Sequence, residues 1–268
     1  MIVIMGITVV CAHFWSITII QLLNPCSLLM SKSEIIFLEG PHSRLKELKF
    51  AFQAMIEFVK GFRGLHFIGP CITVFGSARF KEDHPYYRLT HDVAASLAQL
   101  GFTILTGGGP GLMEAANRGA KDVGGRSVGC NIILPVEQKP NQYLDKWVYV
   151  KHFFLRKVLL VKYSFAFVVM PGGFGTMDEY FEALTLIQTH KIKDFPIIIF
   201  GKEYHKELIK HIETMKANAT IGAADTCLFL VTDSIEEARN LIIEKSIKQY
   251  GLKPPNKIRP FKWLFEHE

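Results

Sequence analysis

From residue 71 onward, short apolar runs typical of β-strands alternate with longer segments of helical periodicity. The candidate strands are Ile72–Gly76, Phe102–Thr106, Val128–Leu134, Phe165–Met170, Pro196–Phe200 and Leu228–Val231. The helical segments lie near residues 86–100, 111–123, 153–163, 177–190, 203–216 and 234–247. Strands that are apolar throughout and separated by helices predict a parallel sheet with both faces covered. The sequence therefore predicts an α/β fold with a doubly wound parallel sheet flanked by helices.

Three of the candidate strands end in polar, glycine-rich turns. In parallel sheets, ligands bind at the carboxyl ends of the strands. We therefore expect the turns at residues 76–79, 106–111 and 171–176 to lie on one edge of the sheet and to converge on one site. The first two turns supply three candidate substrate contacts: Ser77, Gly108 and Gly109.

The second turn, GGGPG, also fits a turn that serves packing only. It resembles a dinucleotide loop but lacks the third glycine in register, so the NAD interpretation is weak. The chain also has no GxxxxGK[ST] stretch, which argues against a nucleoside triphosphatase.

The third turn reads PGGFGTMDE and follows an apolar run. A strand that leads through a glycine-rich turn into a helix presents free backbone N–H groups and a positive helix end, which together hold a phosphate. The acidic side chains of Asp178 and Glu179 indicate a cationic group or a sugar hydroxyl beside that phosphate. Two structural alternatives remain: a capping box from Thr176 to Glu179, and a glycine-rich turn that only reverses the chain. The candidate phosphate-binding residues are Gly172, Gly173, Phe174, Gly175 and Thr176.

Arg156 and Lys157 are two cations on the otherwise apolar helical segment from Phe153 to Val161. Arginine binds phosphate in a bidentate manner, so Arg156 is a candidate ligand of the substrate. The alternative for both is an ordinary surface position, with the charged ends reaching into solvent.

Taken in order, residues 106–116 (TGGGPGLMEAA), the Arg156-Lys157 pair and residues 171–179 resemble the LOG family. Its members are cytokinin riboside 5′-monophosphate phosphoribohydrolases that were long mislabelled as lysine decarboxylases. The similarity extends over roughly residues 71–243. It implies a Rossmann-like homodimer or larger homo-oligomer that hydrolyses a purine nucleoside 5′-monophosphate to free base and ribose 5-phosphate, with no cofactor.

The resemblance also implies roles for individual residues. Arg156 and Glu179 match the family's catalytic pair, and residues 173–176 match its phosphate loop. Further substrate contacts are implied at three positions: Glu137, Lys157 and Thr185.

The chain departs from the family pattern at two positions. Leu155 replaces the usual acidic or polar residue before the Arg-Lys pair, and Asp178 replaces a glutamate. These departures bear mainly on which base is accepted.

The residue types are consistent with glycosidic hydrolysis. Cleavage of a ribose–base bond develops positive charge on the sugar, which a carboxylate such as Glu179 stabilises. A decarboxylase would need a lysine for pyridoxal phosphate with a supporting pocket, and only Lys157 lies near the turns. The alternative from another class is a non-catalytic nucleotide or cofactor carrier on the same fold.

Composition narrows the possible partners and the compartment. The 268-residue chain carries a net charge of +6, and its basic residues form no stripe interleaved with aromatics, so we expect no nucleic-acid binding. The five cysteines form no CxxC pair, which favours a reduced, cytoplasmic protein, and no metal-ligand spacing is present.

The N-terminal segment of residues 1–29 contains no Lys, Arg, Asp or Glu. It fits three interpretations: translation that truly starts at Met30, a membrane anchor within residues 1–23, or a buried apolar extension. We expect a helical extension over residues 30–70, with an amphipathic helix from Ser43 that packs on the main domain. The Rossmann-like domain then covers residues 71–250, and a tail follows at residues 251–268.

Overall fold

The computed structural model describes residues 40, 43–134, 139–192 and 195–249. Within them, parallel strands form a seven-stranded sheet in the order β4-β3-β2-β1-β5-β6-β7. The strands are β1 (Cys71–Phe75), β2 (Thr103–Thr106), β3 (Ser127–Ile132), β4 (Lys146–Val150), β5 (Ser164–Val169), β6 (Ile197–Phe200) and β7 (Phe229–Thr232). The predicted α/β fold with a parallel sheet is confirmed.

Helices connect the strands and lie close to the predicted helical segments. They are α1 (Arg44–Leu65), α2 (Pro85–Ala98), α3 (Leu112–Asp122), α4 (Phe153–Tyr163), α5 (Phe174–Gln188), α6 (Lys206–Ala217) and α7 (Ile235–Ile242). A 3-10 helix (Ala223–Cys227) precedes β7, and a π-helix (Ile243–Gln249) continues α7. The chain divides into two compact units, and the whole sheet belongs to the second, which begins at Phe50 and leaves out Leu134.

The strand order reverses between β1 and β5. Strands β1 to β4 follow one another towards one edge of the sheet, whereas β5 to β7 extend from the other side of β1. Ligands of doubly wound folds bind in the crevice at such a reversal, outside the carboxyl ends of the strands. The three glycine-rich turns follow β1, β2 and β5, which are adjacent, so they lie on one edge as predicted.

Strand β4 is absent from the sequence-based prediction. It pairs only with β3 among the described strands, and its side chains alternate between half-buried and exposed up to the buried Val150. Trp147 and Tyr149 are each 48% exposed. A half-exposed edge strand lacks the continuous apolar run by which the other strands were recognised.

The centre of the sheet is fully apolar apart from hydrogen-bonded threonines. All residues of β1, β2 and β6 are buried. The hydroxyl of Thr73 in β1 lies 2.5 Å from that of Ser164 in β5, which satisfies both groups. Burial of each large aliphatic side chain stabilises the folded state by about 1.5–3 kcal/mol. The sheet is therefore stable enough to hold the turns at its edge in fixed positions.

Helix α1 exposes the apolar face that we expected to pack on the main domain. Its buried residues are instead Gly61 and Leu65. The helix nevertheless packs on the main domain through its other face, where Glu57 accepts a hydrogen bond from the N–H of Lys151 over 3.0 Å and a Cβ at Gly61 would lie 2.6 Å from Leu159. Helical periodicity identifies an apolar face without specifying what covers it. The exposed apolar residues are Leu45, Leu48, Phe52, Met55, Ile56 and Val59.

Several predictions concern residues outside the described ranges. These are the three interpretations of residues 1–29, the substrate contact at Glu137 and the tail at 251–268. In the described part of the chain, no helix combines the length and the apolar character that crossing a bilayer requires.

Candidate active site

Backbone hydrogen bonds join the three glycine-rich turns. The N–H of Ser77 donates to the carbonyl of Pro171 over 3.0 Å, and the N–H of Leu112 donates to the carbonyl of Ser77 over 2.9 Å. The hydroxyl of Ser77 accepts from the N–H of Arg79 within its own turn. Ser77 therefore lies between the other two turns and connects them through its main chain.

Gly111 allows the second turn to approach the first. Its φ is +70°, and a Cβ there would lie 2.5 Å from the carbonyl oxygen of Ser77. Both the left-handed backbone and the close contact require glycine. The second turn therefore does serve packing, as one interpretation of the sequence predicted. The rest of its backbone is also held in a defined position.

Buried amide side chains hold the second turn. The N–H of Gly108 donates to the hydroxyl of Thr106 over 2.9 Å, and that hydroxyl donates to Oδ1 of Asn117 over 2.7 Å. Asn141 donates its N–H to the carbonyl of Gly108 and its Nδ2 to the carbonyl of Gly109, over 3.0 and 3.1 Å. Sequence reasoning missed both asparagines, although an asparagine on the apolar face of α3 was a usable signal for Asn117.

The third turn ends at the start of α5. Gly173 is the N-cap residue, no side chain caps the helix, and the N–H groups of Thr176 and Met177 donate to the carbonyl of Gly173. The first N–H groups of a helix have no partner within it, so those of Phe174 and Gly175 face outward. Residues 173–175 are exposed, and the side chain of Phe174 is 96% exposed. This helix start is open to an anion.

The capping-box interpretation of residues 176–179 is wrong. The helix begins at Phe174 rather than after Thr176, and no side chain caps it. Glu179 is instead buried, with 2% of its side chain exposed. A buried carboxylate in the second turn of α5 has no capping role.

Arg156 of α4 and Glu179 of α5 face each other. Nη2 of Arg156 lies 3.9 Å from Oε1 of Glu179, which is an ion-pair distance but too long for a hydrogen bond. Nε of Arg156 and Oε2 of Glu179 are both buried and have no hydrogen-bond partner among the described residues. Buried polar atoms are normally paired, so these two indicate a missing ligand.

The surroundings of Arg156 connect it to the second turn. A Cβ at Gly107 would lie 3.8 Å from Nη1 of Arg156. The guanidinium also lies over the ring of Phe153, 5.5 Å from its centroid. Its side chain is only 16% exposed, so the snorkelling alternative does not describe it.

Burial raises the pKa of Glu179 from 4.5 to about 7. The positive charges of Arg156 and Lys157 act in the opposite direction, whereas the carboxylates of Glu182 and Asp178 add to the rise. Near neutral pH, both the protonated and the ionised form are therefore populated. Such a group can take up or release a proton during a reaction.

Lys157 contacts two carboxylates of α5. Its Nζ lies 2.8 Å from Oδ1 of Asp178 and 2.8 Å from Oε2 of Glu182. Glu182 was missed by sequence reasoning, because its role depends on where α4 lies beside α5.

Thr185 lies on the exposed side of α5. Its hydroxyl donates to the carbonyl of Phe181 over 2.8 Å, a bond within the helix. No described contact joins it to Arg156 or Glu179.

Tyr204 contacts the third turn from the loop after β6. Its hydroxyl donates to the carbonyl of Gly172 over 2.9 Å, and its side chain is 46% exposed. Nothing in the sequence distinguished this tyrosine from others, because the contact depends on the pairing of β5 with β6.

The described residues contain no group of three or more His, Cys, Asp or Glu side chains arranged to hold a metal ion.

Comparisons with known proteins give one family. A family model described as "Possible lysine decarboxylase" matches residues 113–242. A cytokinin riboside 5′-monophosphate phosphoribohydrolase of Rhodococcoides fascians is 27% identical over 173 residues, 62% of this chain and 86% of that protein. One of Arabidopsis thaliana is 30% identical over 149 residues, 53% of this chain and 67% of that protein.

A solved structure agrees on the fold. The molybdenum cofactor binding protein from Rippkaea orientalis superposes with a TM-score of 0.51 at 21% identity, covering 66% of this chain and 98% of that one. The ordered motifs, the parallel sheet and these relatives together show that the chain belongs to the LOG family.

Proposed function

We propose that this protein hydrolyses the N-glycosidic bond of a purine nucleoside 5′-monophosphate, of the AMP or cytokinin type, to free base and ribose 5-phosphate. The observation that carries the proposal is the Arg156–Glu179 pair. The two side chains lie 3.9 Å apart, and the buried atoms Nε of Arg156 and Oε2 of Glu179 have no hydrogen-bond partner among the described residues. The names of the relatives from Rhodococcoides fascians and Arabidopsis thaliana support the same reaction.

The start of α5 is the proposed phosphate site. Gly173, Phe174 and Gly175 are exposed there, and the helix has no capping side chain. A 5′-phosphate at this position would accept from the free N–H groups and gain from the positive end of the helix. Binding energy from the phosphate then positions the ribose, away from the bond that breaks.

Glu179 is the proposed catalytic carboxylate. The bond between C1′ and the base nitrogen breaks with its electron pair on the base, which takes a proton from solvent. Water adds its oxygen to C1′ and gives a proton to Glu179. The ionised carboxylate stabilises the positive charge that develops on the sugar, because a buried carboxylate interacts strongly with it.

Arg156 is the proposed cationic partner of the nucleotide. Its unpaired Nε and its position beside Gly107 support a contact with an anionic or polar group of the substrate. A lysine cannot reproduce a bidentate guanidinium contact, so Arg156→Lys should lower kcat/KM by about 100-fold. The matched control is Arg88→Lys, on an exposed position of α2.

A homodimer is part of the proposal. The exposed face of α1 carries Phe52, Met55, Ile56 and Val59. Large exposed apolar patches mark interaction surfaces. Met55→Glu, which places a charge in this patch, should shift the assembly to monomers in sedimentation.

A reduced compartment, the cytoplasm, is the proposed location. The three cysteines within the described ranges, Cys71, Cys130 and Cys227, are all free thiols. Free thiols are typical of proteins in reducing compartments.

The test is to incubate the full-length protein with AMP, N6-isopentenyl-AMP, GMP and CMP, and to measure free base and ribose 5-phosphate. Base release that is lost in Glu179→Ala supports the proposal and ranks the substrates. Binding of these nucleotides without any release of base would overturn it and favour a nucleotide carrier.

A further inference from the structure

Helices α4 and α5 each carry one member of the Arg156–Glu179 pair, yet that pair makes no hydrogen bond of its own. Its 3.9 Å separation leaves the relative position of the two groups to other contacts. The nearest strong contact is the lysine that follows Arg156, whose ammonium lies 2.8 Å from both Asp178 and Glu182.

The contact of Lys157 with Asp178 and Glu182 links the two helices that carry the candidate catalytic groups. Lys157 is adjacent to Arg156 in α4, and Asp178 is adjacent to Glu179 in α5. We propose that Lys157, Asp178 and Glu182 form an ion triad that sets the position of Arg156 relative to Glu179, with Glu182 as an additional positioning residue. The expected effect on catalysis rests on the proposed function.

The charges of α5 require a cation at this place. Asp178 and Glu182 are four residues apart, so they share one face of the helix and repel each other. Glu179 adds a third carboxylate within the same turn. Lys157 is 18% exposed and supplies the compensating charge from α4.

The exposure of the two carboxylates indicates which ion pair of the triad contributes more to holding Lys157. Asp178 is 54% exposed, whereas Glu182 is 32% exposed. Solvent screens the more exposed ion pair more strongly, so the Lys157–Glu182 contact should dominate.

The triad also bears on the expected role of Lys157. Two carboxylates already lie 2.8 Å from its ammonium group, each as an ion pair. Its main effect should therefore be on the geometry of the site rather than on the affinity for substrate.

The first test needs no substrate. Glu179 is titrated by NMR in ¹³C-glutamate-labelled protein, as wild type and as Glu182→Gln. Removing the nearby negative charge of Glu182 would by itself lower the pKa of Glu179, because Glu182 is one of the groups that raise it. Displacement of Arg156 would raise that pKa, because Arg156 is the main group that lowers it.

The two effects have opposite signs, so the result is decisive. A higher pKa of Glu179 in Glu182→Gln supports the triad, and a lower or unchanged pKa overturns it. Asp178→Asn provides a second variant with the same expected sign. The matched control is Glu213→Gln, which removes the ion pair of Glu213 with Lys216 on α6.

The second test is kinetic. Glu182→Gln should lower kcat by about tenfold and change KM by less than about twofold, as expected when geometry rather than binding is disturbed. Lys157→Met combined with Glu182→Gln should be no worse than Lys157→Met alone. A rise in KM at constant kcat, or additive losses, would overturn the proposal. If the wild type releases no base, the proposed function fails, while the titration still decides the triad.

Discussion

Arg156 Nη2 and Glu179 Oε1 lie 3.9 Å apart at the edge where the strand order reverses, with Glu179 buried and Arg156 half-buried. A guanidinium and a carboxylate that were paired only for stability would form bonds of about 2.7–2.9 Å. The longer distance, with an unpaired atom on each side, is the arrangement expected of a site prepared for a ligand.

The pH dependence of the proposed reaction follows from the pKa of Glu179, which burial raises to about 7. Since the ionised carboxylate is the active form in the proposed mechanism, kcat should rise with pH up to about 7 and then level off. The measurement is kcat for the best nucleotide between pH 5 and 9. A kcat that falls over this range would assign Glu179 the role of proton donor instead.

Glu179→Gln should increase stability at high pH. The pKa of Glu179 is about 7 in the folded protein and 4.5 as a free group, so the folded state binds more protons between these values. The stability of the wild type therefore falls as pH rises through this window, and the variant avoids a loss of up to about 3 kcal/mol. Urea unfolding of both proteins at pH 4.5 and pH 8 tests this. If the difference in unfolding free energy between the two proteins were the same at both pH values, the prediction would be contradicted.

Tyr204→Phe should weaken phosphate binding and leave the chemical step nearly intact. The variant loses the 2.9 Å hydrogen bond to the carbonyl of Gly172, which is worth about 1 kcal/mol, so KM should rise about fivefold. Steady-state kinetics measure the effect. Tyr149→Phe is the matched control, because Tyr149 is 48% exposed and lies on the edge strand β4. Unchanged kinetics in Tyr204→Phe would show that the turn holds its position without this bond.

Gly111→Ala should strongly destabilise the fold. Its φ of +70° is unfavourable for alanine, and the Cβ would lie 2.5 Å from the carbonyl oxygen of Ser77. Gly101 isolates the first effect, since its φ is +92° and nothing lies within 4 Å of a Cβ there. We expect a loss of about 1 kcal/mol for Gly101→Ala and of at least about 3 kcal/mol for Gly111→Ala in chemical unfolding. If both variants lost a similar amount of unfolding free energy, the close contact between the first and second turns would not contribute to stability.

The sequence alone determined the fold class, the edge of the sheet that carries the site and the family. Buried parallel strands need continuous apolar runs, and close turns need glycine, so both leave local patterns. The half-exposed strand β4 leaves no such pattern, and it was missed.

Only the tertiary structure decided which side chains meet. It placed Glu179 opposite Arg156 rather than in a helix cap, joined Lys157 to Glu182, and brought Tyr204 to Gly172. It also left the apolar face of α1 exposed. These relationships depend on how separate helices and strands pack, and residues far apart in the chain carry no local signal of their contact.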